Sequence, residues 1–277
     1  MNTRVLGARL EGCNPWLVSL GLMLGAAMVL TVPGEPADQG FNSASRIGFA
    51  LGVPYIQVRD DIVGPLRWDG PGGAIEIFYD HVGGATRHQL DLTLPLGLLT
   101  NRYGHRAAAL GFKLGYTYFR PVMSSAEYGT AFAGGLLRWD EDLQFYADWD
   151  DEHLYWITAC DLAPAVLHEL RLGRRHRFDL GLDFAVLSLV SRPPSHRYYK
   201  IDDLTRLGFW FRKPHQGIRL TSVGRHLAVD ASLDYALAIS RSWLVGVAYE
   251  LAYRRYTEPE TIQSLSNTIL IRATYEF

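Results

Sequence analysis

The sequence predicts an all-β fold: a transmembrane, antiparallel, up-and-down barrel of about ten strands, with twelve or eight as the alternatives. Three observations carry that expectation. Apolar and polar residues alternate with a period of two along most of the chain, which is the period of a strand with one oily face. The opposite face is built from Gly, Ala, Ser and Asp, where a water-exposed sheet would carry Lys and Glu. Short and long connections appear to two different rules, as expected when one end of a barrel is trimmed and the other elaborated.

The strands follow in order. "RIGFALGVPY" places Ile47, Phe49, Leu51, Val53 and Tyr55 on one face. "HQLDLTLPLGL" sets Leu90, Leu92, Leu94, Leu96 and Leu98 against Gln89, Asp91, Thr93 and Gly97. "ALGFKLGYTYF" sets Leu110, Phe112, Leu114, Tyr116 and Tyr118 against Gly111, Lys113, Gly115 and Thr117. "RFDLGLDFAV" opposes Phe178, Leu180, Leu182, Phe184 and Val186 to Asp179, Gly181 and Asp183. "HLAVDASLDYALAIS" and "WLVGVAYELAYRRY" repeat the pattern, with Asp230, Asp234, Glu250 and Arg254 on their polar faces. The closing "NTILIRATYEF" alternates Ile269, Ile271, Ala273, Tyr275 and Phe277 with Arg272, Thr274 and Glu276. "LLRWDEDLQFYADW" and "LGFWFRKP" leave room for another hairpin, hence the twelve-strand alternative.

A soluble β-sandwich also alternates, but its second face meets water. Small inward residues suit a narrow barrel, and long apolar faces carrying Tyr, Trp or Phe near their ends match a lipid-facing band with aromatic girdles. Backbone groups in lipid must be paired, so such a sheet closes on itself. Tight joins are read at Gly83–Gly84, at Gly173–Arg175 and around Arg241, with an intermediate turn in 121–129. Longer polar connections are read at 59–72, 99–106, 139–153, 191–225 and 257–264.

Composition agrees. Of 277 residues, 48% are apolar and 20% charged, which excludes low-hydrophobicity disorder. The formal net charge of −2 argues against a nucleic-acid-binding surface. Near the N-terminus, Arg4 and Arg9 precede an apolar run from Trp16 to Leu30, shorter than the roughly 20 residues of a spanning helix and suited to an export-signal core. Residues 1–37 are therefore read as a signal peptide and short N-terminal segment, and 38–277 as the barrel. With the leader removed, Cys160 is the one remaining cysteine, a small apolar residue rather than a nucleophile.

The closing strand, with Phe277 last and Tyr275 two places before it, resembles the C-terminal signal of bacterial outer-membrane β-barrel proteins. That resemblance is to a superfamily, and with the repeated strands it covers nearly the whole chain. It implies an outer-membrane location, recognition of Tyr275 and Phe277 by the barrel-assembly machinery, and contact with outer-membrane lipids and lipopolysaccharide. It says nothing of oligomeric state.

Three sets of residues are candidates for chemistry. The inward Asp91, Lys113, Asp179, Asp183, Asp230, Asp234, Glu250, Arg254 and Arg272 form either a paired polar core or a narrow carboxylate-lined path that favours cations. Asp140, Asp142, Asp151 and His153 resemble the Asp-x-Asp and Asp-x-His pairs of omptin-like proteases, although both pairs fall in one loop region or its flanking strand ends. The same acidic loop would admit a divalent cation, with no other cofactor indicated. Finally, Arg197, Lys200, Arg206, Arg212 and Lys213 in the long basic and aromatic loop suit lipopolysaccharide phosphates or fold over the mouth as a cap. The expected role is structural, ligand- or lipopolysaccharide-binding, or that of a narrow pore. A hydrolase of lipid A, phospholipid or peptide is the alternative.

Overall fold

In the computed structural model, residues 44–83, 86–125, 128–146, 148, 154–173, 175–193 and 217–277 are described. Twelve strands follow one another: β1 (Ala44–Asp60), β2 (Arg67–Gly83), β3 (Thr86–Asn101), β4 (Arg106–Ser125), β5 (Gly129–Phe145), β6 (Leu154–Leu172), β7 (His176–Phe184), β8 (Leu187–Ser191), β9 (Arg219–Ser222), β10 (His226–Ala238), β11 (Trp243–Tyr256) and β12 (Ile262–Glu276).

Ten of them close a barrel. Neighbours pair antiparallel from β1 through β7, then β7 with β10, β10 with β11 and β11 with β12. The ring shuts where β12 meets β1, with Val53 opposite Ile269 and Arg46 opposite Glu276. Strands β8 and β9 are short upward continuations. Where β7 leaves β6 at Asp183, the chain steps across Ala185 and Val186, and β8 resumes with Leu187 opposite Leu162. β9 then pairs with β8. The ten-strand expectation is therefore met, and "LLRWDEDLQF" lies within the single strand β5 rather than forming a hairpin.

Alternation explains the wall. Val53 is 64% exposed and Leu98 75%, while inward Ala50 and Ala248 are fully buried. Outward Ile, Leu, Val and Tyr give every strand an apolar belt, as lipid requires. Inward positions are small where strands crowd. A Cβ added at Gly115 would lie 2.6 Å from the Asp91 carboxylate, and one at Gly111 3.0 Å from that of Asp142. These β4 glycines leave room for charged neighbours.

One end carries the tight turns β2–β3, β4–β5, β6–β7 and β10–β11 together with Ala44 and Phe277. Gly129 (φ +80°) and Gly173 (φ +66°) shape two of these turns in the left-handed region that glycine enters without a Cβ penalty. The opposite end carries 61–66, 102–105 and 257–261 together with the strand ends Phe145, Leu154, Ser191 and Arg219. All five long connections are shorter than the sequence suggests, two of them most plainly. The 59–72 stretch contributes the ends of β1 and β2, and 139–153 contributes the upper part of β5. The reason is the same in both: once the inward face turns charged, or both faces polar, a strand reads as a loop.

Candidate functional site: the lumen

The interior is an ion-paired column under an apolar lid. At the short-turn end, Arg87 on β3 reaches across the lumen. Its guanidinium donates to both oxygens of Asp80 on β2 at 2.9 Å and to Glu169 on β6 at 3.1 Å. Arg46 donates to Asp80 at 3.1 Å and to Glu276 at 2.6 Å. Arg177 ties Asp179 and Glu169 into the same group. Arg46, Arg87, Asp80 and Glu169 are all buried.

Above it, Arg272 on β12 gathers three carboxylates. It donates to Glu76 at 2.8 and 3.0 Å, to Glu250 at 2.6 Å and to Asp234. Its guanidinium also lies over the Phe78 ring, 5.4 Å from the centroid. Higher still, Arg254 grips Asp230 with two bonds of 2.7 and 2.8 Å and donates to Asp140 at 3.2 Å. Arg138 donates to Asp161 at 3.1 Å, to Asp183 at 3.0 Å and to Asp230. His226 meets Asp161 at 3.1 Å, and the Lys113 amine is 3.9 Å from Asp230. These contacts join β4, β5, β6, β7, β10 and β11 across the barrel axis. Bidentate guanidinium–carboxylate geometry is the strong form of such pairing.

A chamber of about 260 Å³ lies along this column and is lined by Glu76, Asp91, Lys113, Arg138, Asp183, Asp230, Asp234, Glu250 and Arg272, among others. Asp91 and Asp142 make no hydrogen bond or ion pair among the described residues.

The mouth follows different physics. Val58, Trp68, Leu99, Tyr146, Tyr155, Val190, Tyr256 and Ile262 form one buried apolar cluster, joined by Ile62 and Val63 of the β1–β2 turn. Trp68 and Tyr146 meet edge to face with centroids 4.9 Å apart, and Tyr146 meets Tyr155 likewise at 5.6 Å. Burial raises the Tyr146 phenol well above its ordinary range, and that phenol donates to Gln144 at 2.6 Å. One ion pair crosses this lid: Arg192 to Asp60, with a second Arg192 bond of 2.6 Å to the Glu260 carbonyl.

The nine residues read as a lumen set from the sequence all lie on the inner face. Eight of them have ion pairs there, Asp91 being the exception. Of the two placements left open for the acidic pairs, the flanking strand holds for the first. Asp140 and Asp142 belong to β5 and point inward with Arg138 and Gln144, while Leu137, Trp139 and Glu141 alternate with them. Asp140 is committed to Arg254. Asp151 and His153 lie outside the described residues, as do Arg197, Lys200, Arg206, Arg212 and Lys213. Sequence reading missed Arg46, Glu76, Asp80, Arg87, Arg138, Asp161, Glu169 and Arg177. The available signal was their place on the small-residue face of strands that also carry the apolar belt. Tyr275 and Phe277 stack at the short-turn rim, with Phe277 hydrogen-bonded to Ser45 through both backbone groups.

A closed antiparallel barrel with an apolar outer belt and a charged lumen has the architecture of a membrane-spanning β-barrel. No protein-family profile matches the chain, and no curated protein matches its sequence. Among solved structures, the outer-membrane protease OmpT of Escherichia coli is similar with a TM-score of 0.46 and 9% identity, over 90% of this chain and 99% of that one. The translocator domain of the autotransporter NalP of Neisseria meningitidis gives 0.42 and 9%, over 95% and 96%. The β domain of the Bordetella autotransporter BrkA gives 0.43 and 11%, over 85% and 99%. No residue role is carried over from these proteins.

Proposed function

We propose that this protein is a closed, non-conducting barrel of the bacterial outer membrane that acts through its outer wall and loops. The observation that supports this most directly is the lid. Trp68, Tyr146, Tyr155 and Tyr256 are each at most 2% exposed and stand across the mouth above a lumen cross-tied by arginines. An apolar constriction excludes hydrated ions, and the ion pairs below it narrow the bore to the chamber of about 260 Å³. In this reading the N-terminal run exports the chain, and Tyr275 and Phe277 serve the assembly machinery. The basic 191–225 loop meets lipopolysaccharide or an external ligand. The ion pair of Asp140 with Arg254 inside the barrel weighs against an omptin-like role for that carboxylate.

The test is planar-bilayer recording of the purified full chain. The proposal expects no conductance steps at moderate voltage, and regular steps from the wild type would overturn it. One observation favours a second reading, that of a gated cation path. The chamber holds more carboxylates than cations, and Asp91 within it makes no ion pair among the described residues. Cation-selective steps reduced by Asp91→Asn would establish that reading instead.

A further inference from the structure

Outside the lumen, cross-strand register assembles a feature that no single strand displays. Arg255 on β11 stands opposite Gln263 on β12, Gln263 opposite Arg59 on β1, and Arg59 opposite Arg67 on β2. Four adjacent strands thus hold one row on the outer wall at the long-loop end, about 14 Å across at the usual strand spacing. Arg59, Arg67 and Arg255 are exposed. Two like charges directly opposite each other destabilise a sheet, so the Arg59–Arg67 pair asks for an anion.

The row does have carboxylates of its own. Arg59 donates to Asp61 at 2.9 Å through Nε, and Arg67 to Asp69 at 3.0 Å through one terminal nitrogen. Asp69 also accepts from the Tyr55 hydroxyl at 2.9 Å. Arg255 has no hydrogen bond or ion pair among the described residues. Guanidinium N–H groups therefore remain without partners among the described residues, and the row's positive charge is in excess of its carboxylates.

What lies below decides the partner. One register step down come Tyr253, Leu265 and Gln57, and another step down Leu251, Asn267 and Tyr55. The Tyr249 hydroxyl donates to Asn267 at 2.7 Å. Beneath these, Val53, Ile269, Leu51 and Ile271 form bare apolar wall. The vertical order is hydrocarbon face, tyrosine girdle, then arginine row. It is the order of a lipid's acyl chains, its interface and a charged headgroup. We infer that this face docks a phosphorylated lipid of the outer leaflet. Arg59, Arg67 and Arg255 take its headgroup phosphates, and its acyl chains lie along Val53 and Ile269. The inference rests on the long loops facing outward and not on the lumen being shut, so a conducting barrel would leave it standing.

The full chain is reconstituted in phosphatidylcholine vesicles carrying bisphosphorylated lipid A, then extracted in mild detergent, and the lipid A retained per folded barrel is measured. Arg59→Gln and Arg255→Gln should each weaken retention roughly tenfold, the value of one charge-assisted hydrogen bond. Arg120→Gln, at an exposed arginine of the opposite rim, should leave retention unchanged, and heat-modifiable mobility confirms that each variant is folded. Retention by Arg59→Gln/Arg255→Gln equal to wild type would overturn the site. So would equal retention of dephosphorylated lipid A. Displacement by inorganic phosphate at matched concentration would overturn the lipid as its occupant.

Discussion

The lower lumen and the mouth fill the same barrel by opposite means. Below, Arg87, Arg272, Arg138 and Arg254 tie carboxylates from facing strands together, and small Gly and Ala residues make room for them. Above, Trp68, Leu99, Tyr146 and Tyr155 pack as an ordinary apolar core. The ionic column is costly to damage because removing one member strands the others in a place where water is scarce. The apolar lid is costly because it leaves a hole. What separates the two regions is how each fails: the column by uncompensated charge, the lid by a cavity that also opens a path.

Substitutions that attack each region in turn sharpen the contrast. The largest effect is expected for Arg138→Met, which leaves Asp161, Asp183 and Asp230 facing one another. A loss of about 3–5 kcal/mol should appear as a lower urea midpoint in detergent. Adding Asp183→Asn, which neutralises the carboxylate whose ion pair among the described residues is with Arg138, should restore part of it, whereas no recovery would place the cost in packing instead. Next comes Leu99→Ala in the lid, with a loss of about 3 kcal/mol that no charge change rescues. If Leu99→Ala proves neutral, the lid is not a packed core.

A smaller effect separates the two regions by pH. The Tyr146 phenol is held neutral by burial, with its pKa raised in the folded protein. Its contribution is therefore fully present below the unfolded value of about 10 and falls away as pH rises beyond it. The urea midpoint should fall progressively as pH rises above about 10, and Tyr146→Phe should flatten that fall. The smallest effect is expected outside both regions. Arg106 and Asp148 pair at 3.1 Å in full solvent, where the Arg106 hydrogen bonds keep the Asp148 carboxyl below its usual range. Arg106→Ala should leave the midpoint where it is, because exposed pairs contribute little. A clear fall would show that the β3–β4 turn is fastened more firmly than its exposure suggests.

The outer wall was legible in the sequence because lipid enforces a strict rule: Ile47 to Tyr55, Leu90 to Leu98 and Ile269 to Phe277 alternate without a break. The lid was not legible. Val58, Leu99, Tyr155 and Ile262 are inward residues that are apolar, so at the mouth the distinction between faces disappears. Strand β5 was half hidden for the converse reason, since Asp140, Glu141 and Asp142 put charge on both faces and imitate a loop. The ion pairs were legible as residues but not as partners. Arg87 and Glu169 lie 82 positions apart, Arg272 and Glu76 196, and only the closure of the barrel brings them together. The arginine row was invisible to any reading of one strand at a time, because its members come from β11, β1 and β2.

The central claim is that the apolar lid shuts the bore. The most direct measurement is potassium flux through vesicles holding either the wild type or the Trp68→Ala/Tyr146→Ala variant, with folding of both established by heat-modifiable mobility. The account predicts no flux above that of empty vesicles for the wild type, and measurable flux for the variant. Potassium flux through the wild type equal to that of the variant would contradict it.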